Sequence, residues 1–490
     1  MKLKKSQIAL IFVAALILGF AGAYAGVEFA QSSDSGTEQG ANQITSNNDS
    51  ADKDKEAPDS SADLSKINQA YSLIKQNYLE EVEDTQLIEG AIEGMLSTLE
   101  DPHTSYMDVE TVNQFTDQIE SSFEGIGAEV SMVNGLVTIV APIKDSPAEK
   151  VGLRPNDQVL TVDGESLEGL NLNEAVAKIR GEKGSEVVLE IQRAGVSDPF
   201  QVTIIRDEIP VETVYSSTEM VDGKLTGVIE VTNFSENTAK EFEEQLTALE
   251  KEGIEGLVID VRGNPGGLLD VAEDILSLFV PKEIPYIQIE NGDGEREAYH
   301  SQLTEKRDYP ISILINEGSA SASEILAVAL KELNYDVVGE TSYGKGTVQQ
   351  AVPLGDGSSI KLTTFKWLSP NGEWINEKGV EPTIEVKQPE YYYTHPVQIE
   401  DKALKFDQTD ETIANLQVML SGLGYDTERT DGYFSEETEE AVFSFQSDND
   451  LKTTGEVDQD TAGLIEAQVI EKIRDRDDDN QMEEALKALY

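Results

Sequence analysis

Between residues 210 and 390, runs of branched apolar residues alternate with longer amphipathic runs, and this alternation restricts the possible folds more than any other feature. A short apolar run such as Ile311–Ile315 is typical of a buried strand, whereas apolar residues three or four positions apart indicate a helix. Strands that alternate with helices predict an α/β layer, here with a mixed sheet. The predicted strands are 225–231, 256–261, 311–315, 335–339, 347–353 and 360–367, and the predicted helices are 238–251, 268–279 and 321–333.

The first residues predict an export sequence. Three lysines among the first five residues precede the apolar run Ile8–Val27, and a basic segment before an apolar one is typical of a secretion signal. A run of about 20 residues is also long enough to span a bilayer. Ala23–Ala25 resembles a cleavage site, so a retained membrane anchor and a cleaved signal both stay open, and either places the remaining chain outside the cytoplasm. The polar residues 30–62 predict a disordered linker.

Two helices are predicted after the linker. Ile67, Tyr71, Ile74 and Tyr78 follow one another at spacings of four, three and four, which places them on one face of a helix. A second apolar face runs through Asp84–Leu99. Because these faces are too long for a lone helical hairpin to cover, we expect the helices to form a homodimer.

Residues 122 to 207 contain short predicted strands separated by glycine turns. The informative segments are Phe123–Gly127, Ser146–Ala148, Gly152–Asp157 and Val162–Gly164. In these segments the chain resembles a PDZ domain of the permuted kind that occurs in bacterial processing proteases. Consecutive N–H groups of a glycine-rich loop can bind a terminal carboxylate, and the strand after the loop can pair with an incoming peptide. The predicted peptide-binding residues are Gly125, Ile126, Gly127 and Ala128.

Beyond residue 400 the pattern changes again. The characteristic segments are Leu416–Tyr425, Asp431–Phe434, Thr438–Gln446 and Gly455–Thr461. In length, order and spacing they resemble a peptidoglycan-binding module of three helices, which implies that peptidoglycan is a partner. Residues 471–490 are expected to form an acidic helical tail.

A serine at the start of a helix is the first candidate for catalysis. The strand Ile311–Ile315 is followed by Ser319, Ser321 and Ser323, which alternate with alanines. The positive end of a helix and its free N–H groups can stabilise an oxyanion, and Ala322 would donate one of these groups. The residues alone do not show which of the three serines is catalytic, since a serine at this place can also simply cap the helix.

A lysine between two glycines is the second candidate. Lys345 lies 24 residues after Ser321, and a lysine that burial has made neutral can take the proton of a serine hydroxyl. Gln349 follows four residues later, where its amide could orient the lysine amine by a hydrogen bond. The alternative base is His300, although its neighbours in the sequence offer no carboxylate to orient it.

A glycine turn is the third candidate. The strand that ends at Val261 leads into Asn264–Gly267, whose unpaired N–H groups could supply a second oxyanion donor. In this order and spacing, the three motifs resemble the carboxyl-terminal processing peptidases, a serine protease family with a Ser/Lys dyad. The resemblance covers about residues 64 to 390 and includes Leu99–Tyr106.

The resemblance implies a role for each motif. Ser321 is the implied nucleophile, Lys345 the implied general base, and Gln349 the residue that orients Lys345. The implied oxyanion hole consists of Ala322 with Gly266 or its neighbour Gly267.

The implied function is that of a serine endopeptidase which recognises apolar protein C-termini through its PDZ domain. With the N-terminal segment, the expected location is extracytoplasmic, tethered to the membrane if the segment is retained, and the C-terminal module adds the cell wall as a possible second attachment. The resemblance also implies that the PDZ domain gates the active site, with Arg180 as a candidate latch; an ordinary cation at a helix end is the alternative. The competing hypothesis is a catalytically silent PDZ and cell-wall scaffold.

The amino-acid composition further restricts the range of possible partners. The chain carries 94 acidic against 37 basic residues, a net charge of −57, which argues against nucleic acid as a partner and suggests a host in high salt or at high pH. There is no cysteine, so disulfides and thiolate metal sites are excluded. No metal and no cofactor are predicted.

The predicted fold is a multidomain α/β chain with N-terminal helices, a β-rich PDZ domain, an α/β core with a mixed sheet and a small all-α C-terminal module. The predicted boundaries are 1–29 for the signal or anchor, 30–62 for the linker, 63–112 for the helical region, 113–208 for the PDZ domain, 209–392 for the core, 400–470 for the peptidoglycan-binding module and 471–490 for the tail.

Overall fold

The computed structural model describes residues 61–490 apart from Asn134, Ala194, Gly195, Ser197, Gln398, Glu400, Asp401 and Asp477. The predicted signal or anchor and nearly all of the predicted linker lie outside these residues. Among the helices of the described residues, none is long and apolar enough to cross a membrane.

The described residues form two units that divide after Val82. In the first unit, helix α1 spans Ser61–Asn77 and carries the predicted apolar face. This face is largely exposed to solvent, since Ile67 and Ile74 are 42% and 39% exposed.

The second unit begins with two helices and a short strand. These are α2 (Asp84–Ser97), β1 (Ser105–Met107) and α3 (Val109–Ile119). In the turn after α2, the Asp101 carboxylate accepts hydrogen bonds from the His103 N–H at 2.9 Å and from the Thr104 hydroxyl at 2.7 Å. The helix that was predicted to reach Leu99 ends two residues earlier, at Ser97.

A β-rich domain follows. Its elements are β2 (Ser122–Gly125), β3 (Ala128–Val133), β4 (Leu136–Pro142), α4 (Pro147–Lys150), β5 (Gln158–Val162), β6 (Glu165–Ser166), α5 (Leu172–Ile179), β7 (Glu186–Gln192), β8 (Phe200–Ile205) and β9 (Asp207–Pro210). The main sheet has the order β3-β4-β5-β7-β8, while β2 and β9 form a separate antiparallel pair. Alternate residues of these strands point inward, so that Ile139, Leu189 and Ile204 are fully buried.

The α/β domain contains most of the remaining strands. Its elements are β10 (Val214–Val221), β11 (Lys224–Val231), α6 (Thr238–Glu252), β12 (Gly256–Asp260), α7 (Leu269–Ser277), β13 (Pro285–Glu290), β14 (Arg296–His300), β15 (Ile311–Ile315), α8 (Ala322–Glu332), β16 (Asp336–Gly339), β17 (Thr347–Pro353), β18 (Ser359–Leu368) and β19 (Ile384–Glu385). The central sheet has the order β10-β11-β12-β15-β16-β19. Only β10 pairs antiparallel to its neighbour, so the predicted mixed sheet is confirmed.

The central sheet is covered on both faces. One face packs with α6, α7 and α8 in the main apolar core. On the other face, Val258 and Leu314 belong to a second cluster that includes Met482 and Ala485 from the end of the chain. Because β12 and β15 are buried on both faces, they read in the sequence as continuous apolar runs. A second sheet has the order β1-β18-β13-β14, with β17 paired to β18.

The chain ends in a small helical module and one further helix. The module contains α9 (Glu411–Gly422), α10 (Glu436–Asp448) and α11 (Gln459–Arg474), and α12 (Asn480–Ala488) follows it. The predicted tail therefore contains a helix that returns to the α/β domain, where the Ser312 hydroxyl donates to Ala485 O at 3.1 Å.

The two chain segments that join the helical module to the α/β domain lie side by side, and we call them the neck (residues 386–393 and 478–481). Gln481 Nε2 donates to Val386 O at 2.9 Å, and Gln388 Nε2 donates to Asp479 Oδ1 at 2.7 Å. The module thus leaves the α/β domain and returns to it at one place.

Candidate active site

Three serines lie around the start of α8, and the hydroxyl groups of two of them are engaged in buried hydrogen bonds. Ser319 Oγ donates to Val261 O at 2.8 Å, and Ser323 Oγ donates to Asn264 O at 2.9 Å. Both side chains are fully buried. Ser321 lines a cavity instead. The sequence could not separate the three, because the acceptors of Ser319 and Ser323 lie 58 and 59 residues away.

The backbone of Ser321 is strained. Its φ of 54° and ψ of −111° lie outside the regions that residues other than glycine normally adopt. The helix α8 begins immediately afterwards, at Ala322. Because such strain persists only where surrounding contacts enforce it, an outlier of this kind supports a functional role for Ser321.

The cavity has a volume of about 350 Å³ and is lined by all the residues that were predicted for catalysis. These residues are Ser321, Ala322, Lys345, Gln349, Gly266 and Gly267. The alternative base, His300, is not part of the lining formed by the described residues. Its Nδ1 lies 3.1 Å from Lys282 O.

Lys345 lies in an environment that favours its neutral form. Burial lowers the pKa of Lys345, and the positive charge of Lys361 lowers it further. The negative charges of Glu324 and Asp101 act in the opposite direction without cancelling the effect, so the pKa stays below its usual value. A lysine with a lowered pKa can accept a proton nearer to neutral pH.

The amide of Gln349 is held by two threonines. Its Nε2 donates to Thr347 Oγ1 at 2.8 Å and to Thr363 Oγ1 at 3.0 Å. These contacts use both N–H donors of the amide. The amide oxygen accepts no hydrogen bond from the described residues, so it is available to an amine in the cavity.

The glycine turn after β12 is organised by Asn264, a fully buried residue. Its Nδ2 donates to Val231 O at 2.7 Å, while its Oδ1 accepts the Gly266 N–H at 2.9 Å. Within the described residues, the N–H groups of Gly267 and Ala322 donate no hydrogen bond. Of the two glycines predicted as oxyanion donors, the geometry therefore favours Gly267.

Glu324 is a residue of the site to which the sequence analysis gave no role. Its carboxylate is fully buried. One oxygen, Oε1, accepts from Ser342 Oγ and from the Gly344 N–H, both at 2.6 Å, and Oε2 accepts from the N–H groups of Ser321 and Lys345, both at 2.8 Å. This carboxylate ties the start of α8 to residues 342–345, which we call the lysine loop. The only signal in the sequence was a Ser-x-x-Glu pattern, which is typical of a capping box.

The turn after α2 also reaches the site. Burial lowers the pKa of His103, and the nearby charge of Lys345 lowers it further. Thr104 Oγ1 accepts the N–H of Thr363 at 3.1 Å, and Thr363 is one of the two threonines that hold the Gln349 amide. The turn after α2 therefore borders the catalytic cavity.

The predicted peptide-binding loop of the β-rich domain is held by its carbonyl groups. Ile126 O accepts from Ala148 N at 2.8 Å, and Gly127 O accepts from Ser146 Oγ at 2.8 Å. The N–H groups of Ile126 and Gly127 make no hydrogen bond among the described residues. Gly125 ends β2 and Ala128 opens β3. This arrangement fits a carboxylate-binding loop followed by a pairing strand.

Arg180 connects the β-rich domain to α3. Its Nη1 lies 2.5 Å from Asp117 Oδ2, and its guanidinium lies 4.9 Å from the centre of the Phe123 ring. Since Phe115 and Gln118 of α3 line the catalytic cavity, Arg180 contacts a helix that forms part of the cavity wall.

Comparisons with known proteins agree with this organisation. Residues 225–386 match peptidase family S41, and residues 138–193 match the PDZ domain family. Residues 409–465 match a peptidoglycan binding domain, and residues 16–111 match the activating protease CtpB N-terminal domain.

Two relatives from Bacillus subtilis (strain 168) are similar along almost the whole chain. Carboxy-terminal processing protease CtpB is 50% identical over 483 residues, which are 98% of this chain and 98% of that protein. Carboxy-terminal processing protease CtpA is 42% identical over 436 residues, or 89% and 92% of the two chains. The solved photosystem II D1 C-terminal processing protease has 26% identity and a TM-score of 0.41, with 66% of this chain and 92% of that chain covered. The chain therefore belongs to peptidase family S41, as a serine-type C-terminal processing protease with a PDZ domain and a peptidoglycan-binding domain.

Proposed function

We propose that the protein is an extracytoplasmic endopeptidase in which Ser321 and Lys345 form the catalytic dyad. The observation that carries the proposal is the shared cavity, which brings together Ser321, a half-buried lysine with a lowered pKa and two unoccupied N–H donors. A hydroxyl, a base and an oxyanion site within one cavity are the components that acyl transfer requires.

In the proposed reaction, neutral Lys345 takes the proton of the Ser321 hydroxyl while Oγ attacks the scissile carbonyl carbon. The carbonyl oxygen becomes an oxyanion that accepts hydrogen bonds from the N–H groups of Gly267 and Ala322. When the C–N bond breaks, protonated Lys345 donates its proton to the leaving amine. Water then hydrolyses the acyl-enzyme, with Lys345 again serving as the base. The free oxygen of Gln349 would accept an N–H of the Lys345 amine and orient it.

Substrate recognition is assigned to the PDZ domain. A substrate's terminal carboxylate would bind the free N–H groups of Ile126 and Gly127, and its backbone would pair with β3. The residues Gly125 and Ala128 border this loop. Arg180 is proposed as the residue through which the PDZ domain acts on the active site, because it contacts α3 at the cavity wall.

The location of the protein follows from its flanking segments. The apolar run Ile8–Val27 would export the chain and tether it to the membrane, and the peptidoglycan-binding domain would hold it at the cell wall. The exposed face of α1 is the proposed homodimer contact.

The test is cleavage of an unstructured protein with an apolar C-terminus by the purified chain and by two variants. Ser321→Ala and Lys345→Ala should each lose activity by a factor of about 10⁴ or more, whereas Lys366→Ala, on β18 beside Glu290, should keep it. Activity that survives Lys345→Ala would overturn the lysine-base mechanism. If even the unmodified chain shows no cleavage, residues 122–207 should be deleted. Cleavage that then appears would show that the PDZ domain had closed the active site, whereas a continued lack of cleavage would indicate a scaffold without activity.

A further inference from the structure

Arg262 is a buried cation at the base of the glycine turn. Its side chain is 14% exposed and lies between the carboxylates of Asp260 and Asp479, which are each 6% exposed. Burial alone lowers the pKa of a guanidinium, but the two carboxylates outweigh burial and raise the pKa of Arg262. Arg262 is thus permanently charged, and a buried charge depends on its partners.

All five N–H donors of the Arg262 guanidinium have acceptors. Asp260 accepts from Nε at 2.9 Å and from Nη2 at 2.7 Å. Asp479 accepts from Nη1 at 2.8 Å and from Nη2 at 2.9 Å, and Gln481 accepts from Nη1 at 3.2 Å. Three of these five contacts come from residues that follow the peptidoglycan-binding domain along the chain.

Arg262 is also the residue immediately before the oxyanion loop, which we define as Gly263–Gly267. The first N–H of this loop donates to Asn316 Oδ1 at 2.8 Å, and Asn264 anchors its middle. The base of the loop is held by Arg262, whose own N–H donates to Asp260 Oδ1 at 3.1 Å. The side chain of Arg262 is thus fixed at the residue that directly precedes the loop.

We propose that Asp479 is a positioning residue for the oxyanion hole, which acts by holding Arg262 and, through it, the loop that presents the Gly267 N–H. The proposal rests on the function assigned above to Gly267. A shift of about 1 Å in a group that acts on the transition state can cost about a hundredfold in rate. Because Asp479 also accepts from Gln388 in the neck, one carboxylate connects the attachment of the peptidoglycan-binding domain to the catalytic apparatus.

The substitution Asp479→Asn isolates this contact. Asp479 Oδ1 accepts from Arg262, from Gln388 and from the Met482 N–H that begins α12. An asparagine with its oxygen at this position keeps these three contacts and still caps the helix. Its NH₂ group then takes the place of Oδ2, which accepted a hydrogen bond from Arg262 Nη2 at 2.9 Å. Because both groups are donors, this hydrogen bond is lost. The variant therefore loosens Arg262 while it leaves the helix cap in place.

We expect Asp479→Asn to lower kcat about ten- to a hundredfold with KM nearly unchanged. A peptide aldehyde gives a second readout, because addition of Ser321 Oγ to its carbonyl carbon places an oxygen in the oxyanion hole. Affinity for the aldehyde should fall in parallel with kcat, whereas affinity for the corresponding peptide alcohol, which has no carbonyl oxygen at this position, should not change. Gln481→Met removes the weaker acceptor of Arg262 together with the hydrogen bonds that Gln481 Nε2 donates to Val386 and Glu340, and it should show the same pattern with a smaller loss.

Two controls separate positioning from general stability. Asp458→Asn makes the same change at the N-terminus of α11, where Asp458 accepts the Thr461 N–H at 2.9 Å, and should leave kcat unchanged. Met482→Ala weakens the packing of α12 on the central sheet without a contact to Arg262. At a temperature at which all variants are folded, Met482→Ala should keep kcat and aldehyde affinity.

The proposal is overturned if Asp479→Asn and Gln481→Met retain full kcat, or if Met482→Ala at a matched melting temperature loses as much as Asp479→Asn. Failure of the underlying function is distinguishable, because then Ser321→Ala would remain active and the aldehyde would not inhibit the unmodified chain.

Discussion

The backbone N–H groups of Ser321 and Lys345 donate to one and the same oxygen, Oε2 of Glu324, each at 2.8 Å. The two residues of the proposed dyad are therefore aligned through their main chains, independently of any contact between their side chains. The other oxygen of Glu324 holds Ser342 and Gly344, so the whole lysine loop moves with the start of α8.

Replacement of Glu324 by glutamine should inactivate the enzyme. All four partners of the carboxylate are donors, and an amide offers only one acceptor oxygen, so two of the four donors would face its NH₂ group. We expect kcat to fall about a hundredfold or more, with a folded protein by circular dichroism. Glu332→Gln, at the other end of α8, makes the same change at a partly exposed side chain and should be nearly silent; a silent Glu324→Gln would contradict the alignment role.

The pH dependence of cleavage should report Lys345. A base acts in its unprotonated form, so kcat should rise with pH through the pKa of Lys345, which burial and Lys361 hold below its usual value. Lys361→Met removes the nearby positive charge, which raises the pKa of Lys345 and moves this rise to higher pH. Activity at neutral pH should then fall.

The control for this shift is Lys366→Met on the same strand, whose ammonium pairs with Glu290 at 3.3 Å. Its profile should coincide with that of the unmodified enzyme. If the pH dependence of kcat is unchanged in Lys361→Met, the pKa of Lys345 does not determine the rise of kcat with pH.

A methyl group on Gly266 should abolish activity. Its Cβ would lie 2.7 Å from Ala320 O and 2.8 Å from Ser321 Cβ, closer than such atoms approach in proteins, and its φ of 99° adds strain. We expect a loss of at least about a hundredfold in kcat. Gly263→Asn is the matched control, since a Cβ there meets nothing within 4 Å and φ is 65°, a conformation that asparagine tolerates. Equal losses in both variants would argue against close packing at Ser321.

Loss of the Arg180–Asp117 pair should weaken catalysis modestly. Both side chains are about 40% exposed, at 43% and 39%, and exposed pairs contribute about 0.2–1 kcal/mol, which corresponds to at most about a fivefold effect. Arg180→Met and Asp117→Asn should lower kcat/KM by similar factors, because α3 then supports the cavity less firmly. Lys178→Met breaks the pair with Glu165 within the PDZ domain and should have no effect on cleavage of a substrate without a PDZ-binding terminus.

The sequence predicted best those parts of the site that depend on local pattern. The strand Ile311–Ile315 was predicted with the bounds it has in the structure, because a strand buried on both faces is a continuous apolar run. Ser321 stands at the predicted helix start for the same local reason. Lys345 could be singled out because glycines flank it, which is a signal within three residues.

The sequence could not predict roles that depend on distant partners. Glu324 looks like a helix-capping residue, and its contacts to Ser342, Gly344 and Lys345 appear only when the chain folds. Asp479 lies 217 residues from Arg262, in a segment that reads as an acidic tail. The apolar side of α12 is short, and its partners, such as Val258 and Leu314 on the central sheet, are distant in the sequence.

The return of the chain through the neck makes the peptidoglycan-binding domain an insertion rather than an appendage. Cutting the chain before this domain would also remove α12, uncover the apolar face at Val258 and Leu314, and leave three Arg262 donors unsatisfied. Excision of the module with both neck segments retained and rejoined avoids this damage. The peptidoglycan-binding domain can therefore be exchanged as a unit for another binding domain, which would direct the protease to a different surface while its active site stays intact.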